Sequence, residues 1–391
     1  MPARSDRDPS RVHWMELFFD LIFVALVGQL AHGLREHPTL GTLLLFFALF
    51  ASVWWSWVNL TFTVNVMPRL TRRQLSLVML AAMVGVGAIA VAAPEAVGDR
   101  AWLFAAGNGM LRVVLLGLWI RRSWNNGRAS RVRVLVYNGV TAALWIASIW
   151  LPHPFDFVLW AVAIVLEVTL LVASSRSWPQ GVLAELNVEH LSERFGLLVI
   201  IVLGESVLTT VAALDTAWTV LAGVTAALGL VVASCLAWSF FIYGVDAMRS
   251  GLGALLAAGN VGAIRDTVGF LPFLLVAGVT IISGALSIAI AHPADALPPA
   301  SALSFGGGIA LFYFTNAVIS RRFGGEWPAV LRWAAPAVGL PILLVFAGLV
   351  LPAGWTTVCA VAILAFVVTS TELSTRRRAA SAGAVGGLSP E

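Results

Sequence analysis

The sequence predicts an all-α fold: a polytopic transmembrane helical bundle of about twelve helices, arranged as two parallel six-helix repeats. Three observations lead there. Of 391 residues, 59% are hydrophobic and 11% charged, against about a quarter charged in a soluble domain, so the medium around most of this chain is lipid. The apolar residues fall into runs of spanning length. The arginines, which supply all 24 Lys+Arg positions, gather in alternate connections between those runs.

A spanning helix needs about 20 mostly apolar residues. A polar, Arg-bearing segment, 1–13, precedes the first run, 14–34. That run opens with Glu16 and Asp20 and lacks an A-x-A cleavage site, so it reads as a retained helix and not a signal peptide. Runs at 40–62, 74–93, 102–120, 133–151 and 155–173 complete a first repeat, 14–173. Residues 174–193 read as a cytoplasmic linker, in which 182–191 is mildly amphipathic and suits a membrane surface. The second repeat, 194–371, holds runs at 194–213, 217–243, 266–290, 300–319, 333–351 and 354–371. The apolar stretch 251–264 is too short to span and reads as interfacial or re-entrant. Residues 372–391 are small and polar and read as a disordered cytoplasmic tail.

The arginines test this count. With the N-terminus inside, the inner segments hold Arg4, Arg7 and Arg11, then Arg69, Arg72 and Arg73, then five arginines from Arg121 to Arg133. The pattern continues to Arg376, Arg377 and Arg378, while the outer segments hold only Arg35 and Arg100. This is the positive-inside distribution, and one wrong span would scramble it. Both termini are therefore expected in the cytoplasm.

The halves echo one another. Glu16-Leu-Phe18 opens the first span and Glu193-Arg-Phe195 the seventh, and the two continue to Gly28-Gln29 and Gly204-Glu205. Trp55-Ser56-Trp57 matches Trp238-Ser239-Phe240, Phe104-x-x-Gly107 matches Phe305-x-x-Gly308, and Arg121-Arg122 matches Arg321-Arg322. The matches keep their order at a spacing of roughly 180–200 residues. Six spans per half is an even number, so the halves would share one orientation, as the halves of many transporters do.

Charges within spans are costly and so mark candidates for function, with structural ion pairs as the alternative. Glu16 and Asp20 stand four apart, on one face of the first helix. Such a pair is expected to share a proton, bind a cation or meet an arginine. Glu205, in Gly204-Glu205-Ser206, sits near the middle of the seventh span, and Arg112 near the middle of the fourth. Their equal depth suggests a Glu205–Arg112 pair. Glu167 in the sixth span is a further candidate for ion coupling. His190, beside Glu189 and Glu193, stands before the seventh span as a candidate pH sensor or gate, or as part of a solvated face. Trp54-Trp55-Ser56-Trp57 either packs between helices or lines a path for a solute. Gly306-Gly307-Gly308, Pro272 and Pro341 are candidate helix breaks.

H-E-x-x-H, G-x-S-x-G and P-loop motifs are missing from the sequence, so no enzyme, cofactor or ATP use is expected. Cys235 and Cys359 sit in apolar runs as small hydrophobes and give no metal-ligand spacing. The scattered arginines form no nucleic-acid footprint. The expected partners are the lipid bilayer and a small solute or cation, with a homo-oligomer left open.

Two motifs carry a resemblance: Glu16-Leu-Phe-Phe-Asp20-Leu-Ile-Phe-Val24 with Gln29-Leu30, and His190-Leu-x-Glu193-Arg194-Phe195-Gly196 running on to Gly204-Glu205-Ser206. They resemble the opening segments of the two halves in the bacterial low temperature requirement A family, over nearly the whole chain. The resemblance implies a bacterial inner-membrane protein whose family name records a growth phenotype and not a reaction. It adds His190, Glu193, Arg194, Gly204 and Ser206 as motif or gating candidates. A looser likeness links Phe-Phe-Asp20 to the Phe-Ser-Asp start of repeats in endolysosomal potassium channels, with Phe19 in place of Ser and Gly196 in place of the second Asp. The functional expectations are a proton- or cation-coupled secondary transporter, an ion channel built from six-helix repeats, or a membrane sensor or scaffold used in cold growth.

Overall fold

The computed structural model describes residues 13–67, 70–123, 127–174 and 186–386. Most of the N-terminal segment (1–12) and much of the linker (175–185) lie outside the described residues. The described residues form thirteen helices in chain order. The first half holds α1 (Trp14–Glu36), α2 (Leu40–Asn65), α3 (Arg72–Ala92), α4 (Ala101–Ser123), α5 (127–148) and α6 (Phe155–Ser174). The second holds α7 (Val188–Thr216), α8 (Val220–Tyr243), α9 (Val245–Ala257), α10 (Val261–Ala291), α11 (Pro299–Arg322), α12 (Trp327–Val350) and α13 (Ala353–Gly386).

Sequence explains where these helices start and what they face. Thr39 and Thr71 close capping boxes with Thr42 and Gln74, satisfying backbone donors at the starts of α2 and α3. Large apolar side chains point outward along the helices: Leu44 is 71% exposed, Phe346 64% and Val350 79%. Such a surface is stable only against lipid. Within the described residues, eleven helical stretches are long and apolar enough to cross a membrane. The fifth expected run is not among them. The helix that holds it, α5, carries Arg128, Arg131 and Arg133 in its first turns, and a π-helical segment, Leu135–Val140, interrupts the rest.

Chain direction nevertheless makes α5 a crossing. Asp20 of α1 meets Arg194 of α7, and Gly28, further along α1, meets Glu205, further along α7. The two helices therefore run parallel, which requires five crossings between them: α2 to α6. The same reasoning removes α9. Trp54 of α2 bonds to Gly269 at the start of α10, while Phe47 at the other end of α2 meets Phe273, so α10 runs against α2 and with α1. The segment α8–α9 thus makes one net crossing. α9 is a surface helix that buries Met248, Gly251, Leu252 and Leu255 and exposes its other face. It covers the first half of the stretch expected to be interfacial or re-entrant, 251–264.

Three expectations need correction. α7 begins at Val188 and not at 194, because Asn187 caps it by accepting from the His190 backbone N–H. α13 continues as helix to Gly386, past the expected end at 371 and into the segment read as disordered. Pro272, Pro341 and Gly306-Gly307-Gly308 lie in continuous helices, without unwound breaks. π-helical segments at Asp266–Phe270 and Leu303–Gly307 absorb the local mismatch.

Several helix contacts of the first half have counterparts in the second. α1 packs on α2 and α3, α3 on α4, and α4 on α5; α7 packs on α8 and α10, α10 on α11, and α11 on α12. The closest crossings correspond as well. A Cβ on Gly107 would lie 2.7 Å from the Gly85 carbonyl oxygen and 2.5 Å from Ile89. A Cβ on Gly308 would lie 3.0 Å from the Gly278 carbonyl oxygen and 2.7 Å from Ile282. Backbone meets backbone at both places, as small residues permit in membrane helices. Gly107→Ala is therefore expected to cost about 1–3 kcal/mol by overpacking. Gly117→Ala on the same helix, whose Cβ would meet nothing within 4 Å, should be neutral or gain up to about 1 kcal/mol from helix propensity. Thermal unfolding in detergent compares the two, and equal melting temperatures would rule out the tight crossing.

Candidate functional site

The parallel packing of α1 and α7 builds the principal buried charge cluster. Glu16 and Asp20, one turn apart on α1, both face Arg194. The Arg194 guanidinium is fully buried and donates from Nη1 to Glu16 Oε2 at 3.0 Å. It also grips Asp20 with two bonds, Nη2 to Oδ1 at 3.0 Å and Nε to Oδ2 at 3.2 Å. Trp57 Nε1 donates to Asp20 Oδ1 at 2.7 Å. The guanidinium carbon lies 5.5 Å from the Trp57 ring centroid and 5.9 Å from that of Phe19. Bidentate contact and aromatic faces are what guanidinium accepts better than ammonium does.

His190 completes the cluster. Its Nε2 lies 3.3 Å from Glu16 Oε2, and its Nδ1 lies 3.2 Å from Asn65 Nδ2. The Asn65 amide is oriented by a reciprocal pair with Asn187: Nδ2 donates to the Asn187 carbonyl at 2.9 Å, and Oδ1 accepts from its N–H at 3.0 Å. An amide N–H therefore points at His190 Nδ1, which must be the acceptor, leaving the ring proton on Nε2 to be given to Glu16. Two carboxylates then share one guanidinium, and the cluster holds one excess negative charge in a buried place. Both Asp20 oxygens accept hydrogen bonds. The Glu16 carboxylate also accepts from the His13 backbone N–H at the start of α1.

Arg112 does not meet Glu205, contrary to the expectation from depth. α4 turns it toward α2 and α6, where Nε and Nη2 donate to Glu167 at 2.9 and 3.0 Å. Ser56 Oγ at 2.5 Å, Asn108 Oδ1 at 2.8 Å and the Ser52 carbonyl at 3.1 Å take the remaining donors. All five N–H groups are satisfied, the charges balance one to one, and Trp145 covers the guanidinium at 5.3 Å. This is a closed structural lock within the first half. At the matching place in the second half, Tyr313 takes the position of Arg112 and bonds to Ser239, the counterpart of Ser56, at 2.9 Å.

Glu205 stands apart, half-buried, with no hydrogen bond or ion pair among the described residues. It faces a narrow cleft between α1, α7 and α10 with room for about one water-sized guest. Gly28 makes room for its carboxylate: a Cβ there would lie 2.5 Å from Oε1. Ser206 lines the same cleft. Gly204 is exposed on the opposite side of α7, and Glu193 is half-buried without an ion pair among the described residues. Glu189 pairs with Arg249 at the surface. The described residues include no group of three or more His, Cys, Asp or Glu side chains able to hold a metal ion.

The tryptophan run is packing: Trp54, Trp55 and Trp57 are all buried, and Trp54 bonds to the Gly269 carbonyl. Sequence reasoning missed Trp57, Asn65 and Asn187 as parts of the α1–α7 cluster, and Ser56 and Asn108 as parts of the lock. The buried Asn65 at the end of an apolar run was a usable signal, because a polar amide in a span needs partners.

The model of the family described as bacterial low temperature requirement A protein matches residues 11–367. An uncharacterized protein of Rhizobium meliloti (strain 1021) is 31% identical over 221 residues, covering 53% of this chain and 52% of the relative. The match thus spans about half the length of that relative. No solved structure matches the chain.

Proposed function

The chain belongs to the bacterial low temperature requirement A family, and on that premise we propose that it is a proton- or cation-coupled secondary transporter of the inner membrane. It acts on a small solute or cation and catalyses no chemical reaction. The observation that carries this reading is the excess carboxylate at the α1–α7 junction, where Glu16 and Asp20 share Arg194. A buried uncompensated charge is costly, and a proton or cation that comes and goes is the economical way to neutralise it. In this reading Asp20 anchors Arg194, Glu16 carries the exchangeable proton and His190 orients Glu16. Glu205 lies eleven residues further along α7, about 16 Å at 1.5 Å per residue, and supplies a second station on the same helix pair. The recurrent packing of the two halves, joined at this pair, fits parallel repeats that rock about a membrane-normal axis. The arginine distribution supports cytoplasmic termini, with the Glu16 end of α1 on that side.

Proteoliposomes under an imposed pH gradient or membrane potential test the proposal. Wild type is expected to dissipate the gradient faster than empty vesicles, and Glu16→Gln to lose that flux while keeping a cooperative melt. Wild type that leaves both gradients intact would overturn the reading in favour of a membrane sensor or scaffold. Unitary currents at high turnover would replace it with a channel.

A further inference from the structure

We propose that the Glu205 cleft is a binding site for one monovalent cation of about sodium size, held by oxygen ligands after loss of most of its water. The inference deepens the transport reading and rests on it for its purpose, though not for its geometry. Four features of the cleft point the same way. The Glu205 carboxylate makes no hydrogen bond or ion pair among the described residues, its nearest charged influence being the Arg35 guanidinium at the mouth, and Gly28 opens the backbone of α1 to it. Ser283, 7% exposed, has a buried hydroxyl with no hydrogen-bond partner and lines the same cleft from α10. An unpartnered buried hydroxyl beside an unpartnered carboxylate is a ligand set in waiting.

The neighbouring hydroxyls fix the sign of the guest. Ser206 donates its hydrogen to the Leu203 carbonyl at 2.6 Å, and Thr280 donates to the Val276 carbonyl at 2.8 Å. With those hydrogens committed, both oxygens are left only as acceptors or ligands. With the Glu205 carboxylate, these oxygens make a ligand set for a cation, and Arg35 is the one positive charge in the lining. Its ligands are hard oxygens, with no imidazole or thiol, which excludes soft transition metals. A single carboxylate is a poor match for a divalent ion, which takes two or more. Space for one water-sized guest excludes organic ammonium ions.

Arg35 lines the outer end of the cleft. It makes no ion pair with Glu205 among the described residues, and its Nη2 contacts His32 Nδ1 at 3.2 Å. His32 in turn meets Glu36. Arg35 is thus a competing cation held at the mouth, and replacing it should favour the guest.

The test is binding of radiolabelled sodium to the purified full-length protein in detergent, with thermal stability measured in sodium against choline chloride at equal ionic strength. Wild type should bind about one sodium per chain and melt higher in sodium than in choline or potassium. Glu205→Gln should abolish binding. Ser283→Ala should weaken it roughly tenfold, the effect of one lost ligand of ordinary strength. Gly28→Ala, which crowds the carboxylate, should also weaken it, and Arg35→Gln should tighten it. Glu16→Gln should bind sodium like wild type while losing proton flux, which separates the two sites. Equal melting in sodium and choline, or sodium binding unchanged in both Glu205→Gln and Ser283→Ala, would overturn the site and leave the Glu16 flux result standing. Sodium binding without any gradient-driven flux would keep the site and remove the transport reading.

Discussion

Arg194→Met is expected to lower stability by about 3–5 kcal/mol, the cost of leaving a buried counter-charge unpaired. The loss is large because two carboxylates depend on this one guanidinium, and because α1 and α7 meet through it. Methionine fills similar space, so packing changes little and the charge effect dominates. The triple variant Arg194→Met, Asp20→Asn, Glu16→Gln removes the excess charge and should recover most of the stability while remaining inactive. Denaturant or thermal unfolding in micelles measures both. A single variant as stable as wild type would show that the cluster is hydrated, and the buried-charge argument would fall.

The second large effect concerns the lock in the first half. Glu167→Leu alone strands Arg112, which is 2% exposed, and should again cost about 3–5 kcal/mol. The double variant Arg112→Met, Glu167→Leu replaces the pair by apolar groups of similar volume and should lie close to wild type, since buried pairs seldom outperform a well-packed apolar substitute. Its proton flux should also survive. A double variant that folds and loses flux would move Arg112 and Glu167 from architecture to transport. The second half already contains the analogue of this experiment, with Tyr313 and Ser239 in place of Arg112 and Ser56.

The fold was largely legible because a lipid medium writes itself into composition. Long apolar runs and arginines in alternate connections determine the crossings, and the one ambiguous run, 251–264, was flagged by its length. The ends were less legible: hydropathy leaves His190 and Glu193 in a polar linker and starts the span at Arg194, while Asn187 caps a helix that begins before all three. The site was legible in its residues and not in its pairs. Depth along a span is one coordinate, and it placed Arg112 level with Glu205. The direction a side chain faces around its helix is another, and it sends Arg112 to Glu167. The sequence echo between the two halves held a signal for Arg194. Glu16 and Glu193 occupy matching positions in α1 and α7, so Arg194 stands within a turn of the depth of Glu16 and Asp20.

The Asp20–Arg194 contact joins residues 174 positions apart in the chain. Synthesis proceeds at roughly 5–20 residues per second, so the first helix waits roughly ten to thirty-five seconds before its counter-ion is even translated. During that interval the nascent chain carries two carboxylates in a segment that must enter the bilayer, whereas Arg112 and Glu167 are born only 55 positions apart. The newborn first half thus carries these carboxylates without their counter-ion until the seventh helix arrives. A ribosome that stops short of Arg194 would release a fragment with this chemical defect exposed, a ready mark for membrane quality control.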